Sequence, residues 1–247
     1  MRIVCVVPSR YESSRFPGKP LADLCGKPMI QHVYERVLRA KTVTEAAVAT
    51  DDQRIFDAVE KFGGRAIMTA ARHRSGTDRV AEAATVLGLE DNDIVVNIQG
   101  DQPIFEPVQM DEVVEPLLVD PSIPMSTLIY RIVREEEITH PNAVKTVFDK
   151  DQFALYFSRA TIPYDRDHVH ESGYYKHHGI YAYRRHFLET FARLPQGFLE
   201  KLEALEQLRA LEYGYRIKVV VTAYDSAEVD TPAELARVRD IIFSGGA

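Results

Sequence analysis

Three cationic side chains follow an apolar run near the start of the chain. Residues 3–7 are hydrophobic, and the loop after them carries Arg10, Arg15 and Lys19 together with Gly18. Guanidinium and ammonium groups neutralise phosphate oxygens, and a glycine lets the backbone approach a ligand closely. A strand that leads into such a loop therefore indicates a polyphosphate site. The alternative is a solvated loop between a buried strand and a helix.

Two aspartates could hold a divalent cation against those phosphates. Asp101 follows the predicted strand 93–98, and Asp230 precedes a predicted helix. Thr231 and Glu234 have the spacing of a capping box, so that helix can be capped without Asp230. Carboxylate oxygens are the hard ligands that Mg²⁺ prefers. The sequence thus predicts a Mg²⁺ site at Asp101 and Asp230, with capping of a turn or helix as the alternative role of each.

Further polar groups follow in the middle of the chain. Residues 75–79 open a predicted helix, where hydroxyls and backbone N–H groups can receive a base, a ribose or a phosphate. Arg159, His177 and Tyr181 fall on or beside predicted strands. A helix predicted over residues 199–213 would place four residues on one face. These residues are Glu203, Glu206, Gln207 and Ala210. On residue type alone, we expect His177 and Tyr181 to be core residues and this helical face to be exposed to solvent.

Composition limits the classes of function. The chain has 247 residues and a formal net charge of -7. This charge argues against a nucleic-acid partner, because proteins that bind nucleic acid present a basic face. Two cysteines, Cys5 and Cys25, cannot build a disulfide framework or a zinc cluster, and they indicate a reducing compartment. The sequence predicts neither a signal peptide nor a membrane span. We therefore expect a cytoplasmic protein without a membrane partner.

The first half of the chain alternates predicted strands and helices. Strands are predicted at 3–7, 46–50, 66–69 and 93–98, and helices at 29–40, 53–62, 78–87 and 107–118. This order predicts a parallel sheet with right-handed crossovers and helices on both faces. In such sheets, ligands bind beyond the carboxyl ends of the strands. We therefore expect the loops at Pro8, Ala70 and Asp101 to meet at one edge.

From about residue 125 the pattern changes to strands separated by turns. Strands are predicted at 125–132, 145–148, 154–158, 179–183 and 216–222, and helices at 184–193, 199–213 and 232–243. Neither a linker nor an internal repeat interrupts the chain. We interpret residues 1–247 as a single domain. Within it, residues 125–215 add strands to the sheet and form a smaller lobe over the ligand edge.

Seven motifs resemble the 3-deoxy-manno-octulosonate cytidylyltransferases, the CMP-Kdo synthetases, in the order of that family and over nearly the whole chain. The motifs are PSRYESSRFPGKPL, SGTDR, NIQGDQP, ALYFSRATIPYDRD, HHGIYAYR, LEALEQLRALEYG and VDTPAELARV. The resemblance implies an α/β, three-layer nucleotidyltransferase fold of the glycosyltransferase-A-like kind. This fold has a mostly parallel sheet, helices on both faces and a smaller lid and dimerisation lobe.

The same resemblance implies an activity and its partners. The family joins CTP and 3-deoxy-D-manno-octulosonate (Kdo) to give CMP-Kdo and pyrophosphate, with Mg²⁺ as cofactor. The product is the activated sugar for lipopolysaccharide biosynthesis. We therefore expect a cytoplasmic, homodimeric cytidylyltransferase.

Matching positions imply the residues of the site. The implied catalytic residues are Arg10, Lys19, Asp101 and Asp230, the two aspartates being the Mg²⁺ ligands. The implied nucleotide-binding residues are Pro8, Ser9, Arg10, Lys19, Ala70, Ser75, Gly76 and Arg79. The implied sugar-binding residues are Gln99, Arg159, His177, Tyr181, Glu206, Gln207 and Glu228. On this basis, Glu206 and Gln207 face the pocket rather than the solvent.

Several positions depart from the commoner pattern of the family. Ser9 stands where alanine is usual, Gln102 where glutamate is usual, His178 where leucine is usual and Glu228 where glycine is usual. Alternate residues of an extended segment share a face, so Glu228 could point into the same space as Asp230. A branch of the family with this glutamate uses 8-amino-8-deoxy-Kdo, whose ammonium would pair with the carboxylate. This sugar is the alternative substrate, unless Glu228 faces solvent or Arg237.

Two other functions are rivals. A glycosyltransferase of related fold would use a nucleotide sugar as its donor and would not release pyrophosphate. A non-catalytic nucleotide-binding module would bind CTP and leave it intact. Such a module would not need a pair of acids at two strand-to-helix junctions.

Overall fold

The computed structural model describes residues 1–12, 16–73, 75–167 and 173–243. Arg15, one of the three cations predicted at the phosphate loop, lies outside the described residues. The described strands are β1 (Ile3–Ser9), β2 (Asp23–Leu24), β3 (Lys27–Pro28), β4 (Glu45–Thr50), β5 (Ala66–Met68), β6 (Ile94–Asn97), β7 (Met125–Arg131), β8 (Lys145–Phe148), β9 (Ala154–Ser158), β10 (Tyr175–Arg184) and β11 (Lys218–Thr222).

Helices connect these strands. They are α1 (Met29–Val37), α2 (Gln53–Lys61), α3 (Gly76–Val86), α4 (Val108–Val119), α5 (Glu135–Thr139), α6 (Arg185–Arg193), α7 (Phe198–Glu203), α8 (Leu208–Glu212) and α9 (Pro232–Phe243), with a 3₁₀ turn at Lys19–Leu21. No helix within the described ranges is long and apolar enough to cross a membrane.

One mixed sheet of nine strands forms the centre of the fold. Its main path has the order β11-β7-β10-β6-β1-β4-β5, and β8 and β9 attach beside β10. Strands β6, β1, β4 and β5 are parallel, and β11 is parallel to β7. Strand β10 runs antiparallel to both β6 and β7. The sheet is therefore mostly parallel, and the predicted fold class is confirmed.

The burial of β1 follows from helices that cover both faces of the sheet. All seven of its residues are buried. Side chains alternate between the two faces of a strand. Val4 and Val6 therefore pack on the side of α3, whereas Cys5 and Val7 pack on the side of α1. Three layers result, and the loops after the parallel strands lie along one edge of the sheet.

Two predicted helices have different outcomes. Helix α9 has the predicted bounds of 232–243, but the single helix predicted over 199–213 is wrong. The chain instead forms α7 and α8, and Ala204 between them adopts a left-handed φ of 51°. Arg159 stabilises this break, because its guanidinium donates to the carbonyls of Glu203 (2.7 Å) and Ala204 (3.3 Å), at a helix end whose carbonyls lack helical partners. The face that was predicted to join Glu203, Glu206, Gln207 and Ala210 does not form.

Strand β10 is twice as long as the predicted 179–183 segment. It spans Tyr175–Arg184, and its register against β7 shifts between His178 and Tyr181. Its first part was missed because it contains polar residues, which indicate a loop when their partners are unknown. The structure supplies a partner for Lys176, whose ammonium lies 2.8 Å from a carboxylate oxygen of Glu137.

Candidate active site

The ammonium of Lys19 joins two carboxylates at the edge of the sheet. Its Nζ lies 2.6 Å from Oδ2 of Asp101 and 3.1 Å from Oδ1 of Asp230. Burial alone would lower the pKa of Lys19, but the two carboxylates raise it above its ordinary value. The side chain is 10% exposed. Lys19 is therefore a charged, largely buried contact between the two predicted metal ligands.

Gly18 permits the tight turn that delivers Lys19. Its φ is 72°, in the left-handed region that residues with a Cβ rarely adopt. A Cβ at this position would also lie 3.1 Å from the ring of Tyr11. The 3₁₀ turn that begins at Lys19 then directs the ammonium toward the sheet edge. This local geometry explains why the cationic loop contains a glycine.

The start of α9 has the capping box that the sequence predicts. The backbone N–H of Glu234 donates to Oγ1 of Thr231 (3.3 Å), and the Glu234 carboxylate accepts from the backbone N–H of Thr231 (2.9 Å). The helix is thus capped without the carboxylate of Asp230. That carboxylate instead contacts the ammonium of Lys19.

A cleft of about 330 Å³ surrounds this contact. It brings together nine of the predicted site residues, from four separate parts of the chain. These are Pro8, Ser9, Arg10, Lys19, Gly76, Arg79, Gln99, Asp101 and Asp230. The cleft wall also contains Glu12, Pro20 and Gly100, which the sequence did not single out. Gly100 lies within the NIQGDQP motif, so its motif was the signal that could have identified it.

Three predicted nucleotide residues make contacts within the protein. Arg79 is 1% exposed, and its guanidinium contacts Asp51 (3.0 Å) and the hydroxyl of Thr69. Arg79 therefore links the residues that follow β4 and β5, next to the cleft. Ser75 caps α3, because its hydroxyl accepts from a backbone N–H at 3.1 Å. The backbone N–H of Ala70 donates to a glutamate of α3, and neither Ala70 nor Ser75 lines the cleft.

His177 and Tyr181 form one aromatic unit on β10. Their ring centroids lie 5.2 Å apart, and Nε2 of His177 lies 2.9 Å from the hydroxyl oxygen of Thr127. Burial lowers the pKa of His177 to about 3, so its imidazole is neutral near pH 7. Burial also raises the pKa of Tyr181 well above its ordinary value. The unit therefore offers neutral hydrogen-bonding groups to a ligand.

Glu206 and Gln207 lie in the connection between α7 and α8. A carboxylate oxygen of Glu206 accepts from the hydroxyl of Thr77 at 2.5 Å, which places this residue beside the start of α3. Burial raises the pKa of Glu206. Gln207 is 4% exposed, and its Nε2 has no hydrogen-bond partner among the described residues. Both residues are therefore turned inward, and the interpretation as a solvated face is wrong.

Arg159 does not reach the cleft. Its guanidinium donates to three carbonyls, those of Pro141 (3.0 Å), Glu203 and Ala204. These contacts hold the break between α7 and α8 and fix the loop at residue 141. The structure thus gives Arg159 a structural role, whereas the family pattern implied a sugar ligand.

Glu228 lines a second cavity of about 420 Å³, which also contains His177. One of its carboxylate oxygens accepts from Nε2 of Gln102 at 2.9 Å. Glu228 as a whole is exposed, but protein surrounds its carboxyl group. This burial, together with the negative charges of Asp101 and Asp230, raises the pKa of Glu228 to about 7. The carboxyl group therefore lies near both aspartates, but it lines the second cavity and not the cleft of Asp230, and its hydrogen-bond partner is Gln102.

A charged network beside this cavity was missed. The ammonium of Lys176 contacts Glu137 (2.8 Å) and Asp225 (2.9 Å), and Nε2 of His178 lies 3.3 Å from Asp225. Asp225 belongs to the loop between β11 and α9, so the network ties that loop to β10. Glu137 and Asp225 are far along the chain from the two β10 residues, and no local pattern joins the three segments.

The donor set at Asp101 and Asp230 fits a Mg²⁺ ion. Both carboxylates approach one positive group, and carboxylate oxygens are hard ligands. Mg²⁺ is usually held by one or two carboxylates together with substrate phosphates and water. No group of three or more ligating side chains occurs in the described ranges. A cation here would therefore depend on phosphate oxygens for its remaining ligands.

Comparison with known proteins identifies the family. The cytidylyltransferase family model matches residues 4–217. The chain is 75% identical over 242 residues to the 3-deoxy-manno-octulosonate cytidylyltransferase of Syntrophus aciditrophicus, covering 98% of each chain. It is 56% identical over 238 residues to the 8-amino-3,8-dideoxy-manno-octulosonate cytidylyltransferase of Shewanella amazonensis, covering 96% of this chain and 97% of the relative.

A solved structure extends this likeness to the fold. It is CMP:2-keto-3-deoxy-manno-octonic acid synthetase complexed with CTP, with a TM-score of 0.93 and 45% identity, covering 99% of this chain and 100% of the other. A cytidylyltransferase of Leptospira borgpetersenii, 15% identical with a TM-score of 0.67, shares the fold. The present chain belongs to the cytidylyltransferase family, among the 3-deoxy-manno-octulosonate cytidylyltransferases.

Proposed function

We propose that this protein transfers the cytidylyl group of CTP to Kdo and releases pyrophosphate. The observation that carries the proposal is the contact of Lys19 with Asp101 and Asp230 in a cleft at the sheet edge. The name of the Syntrophus relative supports an octulosonate as the sugar, and the CTP complex of the similar structure supports the nucleotide. The product, CMP-Kdo, is an activated sugar for lipopolysaccharide biosynthesis.

The reaction joins two anions by one displacement at phosphorus. The anomeric hydroxyl oxygen of Kdo attacks the α-phosphorus of CTP and releases its proton to the solvent. As the new O–P bond forms, the bond from the α-phosphorus to the bridging oxygen breaks, and pyrophosphate leaves with that electron pair. Such transfer depends on positioning and charge neutralisation. Arg10 and Lys19 line the cleft and neutralise the triphosphate and the leaving group.

Asp101 and Asp230 would hold Mg²⁺, which when bound supplies Lewis-acid polarisation of phosphate oxygens. In the protein itself, the two carboxylates attract the Lys19 ammonium and so fix its position at the edge of β1 and β6. Gly76 and the start of α3 contribute backbone N–H groups near the phosphates, where the helix dipole favours negative charge.

The sugar is proposed to lie on the side of His177, Tyr181 and Glu206. These groups are polar, and the imidazole of His177 is neutral near pH 7, so they suit the hydroxyl groups of the sugar. Gln99, the remaining candidate for the sugar, lines the cleft that contains Arg10 and Lys19. The chain would thus bind its two substrates from opposite halves of one domain, residues 1–247.

A second candidate sugar is 8-amino-8-deoxy-Kdo. The observation that favours it is the carboxylate of Glu228, which lines the same cavity as His177. An ammonium at C8 would form a charge-assisted hydrogen bond there, worth about 1.5–3 kcal/mol. A hydroxyl would gain less from the same oxygen. The Shewanella relatives carry this amino sugar in their names.

We also propose a homodimer in the cytoplasm. Phe198 and Leu202 of α7 are each 71% exposed, and Leu155 on the neighbouring edge strand β9 is 62% exposed. An apolar surface of this kind favours burial against a second protein surface. Both cysteines are free thiols, in agreement with a reducing compartment.

The function is tested by a coupled assay of pyrophosphate release over four nucleoside triphosphates and both octulosonates. We expect release with CTP and an octulosonate, and much less with UTP, ATP or GTP. Comparable turnover with a purine triphosphate would contradict the proposed nucleotide. Transfer from a nucleotide sugar without pyrophosphate would indicate the glycosyltransferase, and binding of CTP without turnover would indicate the non-catalytic module.

A further inference from the structure

Two short segments carry the aspartates of the site, and they lie side by side. The backbone N–H of Val229 donates to the carbonyl of Asp101 at 2.8 Å, and that of Ala227 donates to the carbonyl of Ile104 at 3.1 Å. Ile104 and Ala227 form an antiparallel bridge. We call these two backbone bonds the acid ladder. One of these bonds is accepted by the carbonyl of Asp101, and the residue that donates it, Val229, directly precedes Asp230. The ladder therefore couples the positions of the two carboxylates.

One side-chain bond joins the same two segments. Nε2 of Gln102 donates to Oε1 of Glu228 at 2.9 Å, and Gln102 is fully buried. The bond lies against Gly179 of β10, where an added Cβ would stand 3.7 Å from Gln102 Nε2 and 3.9 Å from Glu228 Oε1. The pair is thus enclosed on one side by the sheet. Each partner is a near neighbour in sequence of one of the two aspartates.

The chemistry of this pair requires one donor and one acceptor. An ionised carboxylate can only accept, so the amide of Gln102 must turn its NH₂ toward Glu228. The amide oxygen is then buried without a hydrogen-bond partner among the described residues. A glutamate at position 102 would face Glu228 with a second acceptor and a second negative charge. The hydrogen bond would then be lost, and the repulsion between the two carboxylates would separate the two segments.

We propose that the Gln102–Glu228 hydrogen bond is a positioning contact that sets the separation of Asp101 and Asp230, and with it the affinity of the nucleotide-bound site for a divalent cation. The inference rests on the proposed function, in which these aspartates hold the cation. Neither Gln102 nor Glu228 needs to touch the cation, because the acid ladder transmits their displacement to the aspartates. Contacts of this outer kind commonly change metal affinity by about 10–100-fold.

The test is a double-mutant cycle with Mn²⁺ as the probe, measured by electron paramagnetic resonance on the full chain with CTP and without sugar. The proteins are the wild type, Gln102→Glu, Glu228→Gln and the combination Gln102→Glu/Glu228→Gln. We expect Gln102→Glu to weaken Mn²⁺ binding by about 10–100-fold. The combination restores most of the affinity, because the amide at 228 then donates to the carboxylate at 102 and the bond is re-formed in the opposite direction.

Urea unfolding of the same four proteins separates positioning from stability. If the pair were merely structural, its loss would lower the unfolding midpoint and leave the Mn²⁺ affinity of the folded protein unchanged.

Gln102→Met, which removes the donor and adds no charge, is a second variant should Gln102→Glu fail to fold, and we expect it to weaken Mn²⁺ binding as well. Equal affinity in Gln102→Met and the wild type overturns the inference, as does a combination that binds no better than Gln102→Glu. Failure of the wild type to bind Mn²⁺ with CTP overturns the metal role of Asp101 and Asp230 itself.

Discussion

The ring centroids of His177 and Tyr181 lie 5.2 Å apart, with the rings tilted by 50°, although the two residues are four positions apart on one strand. In a regular strand, residues with this spacing lie about 13 Å apart. The register shift of β10 against β7 between His178 and Tyr181 accounts for the difference, because the extra residues leave the ladder and shorten the strand. The bulge thus gathers two hydrogen-bonding rings at one point of the sheet.

The buried imidazole predicts a pH dependence of stability. The pKa of His177 is about 3 in the folded protein and about 6.5 in an unfolded chain. Between these values the unfolded chain binds a proton that the folded protein does not, so stability is full above about pH 6.5 and falls as the pH is lowered. Between pH 7 and pH 5, we expect the free energy of unfolding of His177→Gln to fall by about 2 kcal/mol less than that of the wild type.

Urea unfolding at the two pH values measures this difference. His186→Gln is the matched control, because His186 is exposed at the start of α6. Equal loss of stability in the wild type and in His177→Gln would mean that the imidazole does not resist protonation in the folded protein.

The proposed sugar side, which lies outside the cleft of Lys19, predicts that sugar binding and nucleotide binding can be separated. His177→Ala and Gln207→Ala should raise KM for the sugar by about tenfold, equivalent to about 1.4 kcal/mol of binding free energy. KM for CTP should stay within about twofold, a change of less than 0.5 kcal/mol. Steady-state kinetics with each substrate varied in turn measure both KM values, and His186→Ala is the control. A parallel loss of CTP affinity in calorimetric titrations contradicts the division.

The aspartates predict a loss of catalysis without a loss of fold. Asp101→Asn and Asp230→Asn each remove one charge from the Lys19 contact and from the proposed cation site. Losing one preorganised charged contact costs on the order of 3 kcal/mol, or about a hundredfold in kcat. Circular dichroism checks the fold, and Asp240→Asn in α9 is the control. Near-normal turnover of either variant in limiting Mg²⁺ removes that residue from the proposed ligand set.

Glu228 predicts the choice of sugar. If its carboxylate recognises an ammonium, kcat/KM for 8-amino-8-deoxy-Kdo exceeds that for Kdo, and Glu228→Gly narrows the ratio by at least about tenfold. Glu228→Gln keeps an acceptor for Gln102 and removes the charge, so it separates recognition of the amine from positioning of the loop. If the wild type has equal kcat/KM for both sugars, or if Glu228→Gly leaves their ratio unchanged, Glu228 does not select the amino sugar. Kdo is then the assigned substrate.

Local sequence was sufficient where the determinants are local. The start of α9 depends on Thr231 and Glu234, three positions apart, and the helix has its predicted bounds. The alternation of strands and helices likewise predicted a mostly parallel sheet, because chain order and the handedness of crossovers leave few arrangements. The same rule places Pro8 and Asp101 in one cleft, but Ala70, which was predicted to meet them there, does not line it.

Sequence was insufficient where a distant residue decides the local structure. The break between α7 and α8 occurs in a segment whose local pattern is helical, and it is stabilised by Arg159 from the end of β9. A bidentate contact of Arg209 with Glu200 (2.5 and 2.8 Å) also joins the two short helices. The contact of Lys19 with both aspartates was not predicted for the same reason, since it connects three remote parts of the chain.

The span of the Lys19 contact has a consequence for biosynthesis. Lys19 and Asp230 are separated by 211 positions, with Asp101 between them. A ribosome adds about 5–20 residues per second, so Asp230 is added about 6–26 s after Asp101. During that interval the nascent chain holds Lys19 and Asp101 but lacks Asp230. The contact of Lys19 with both aspartates therefore cannot form before the segment that carries Asp230 has left the ribosome.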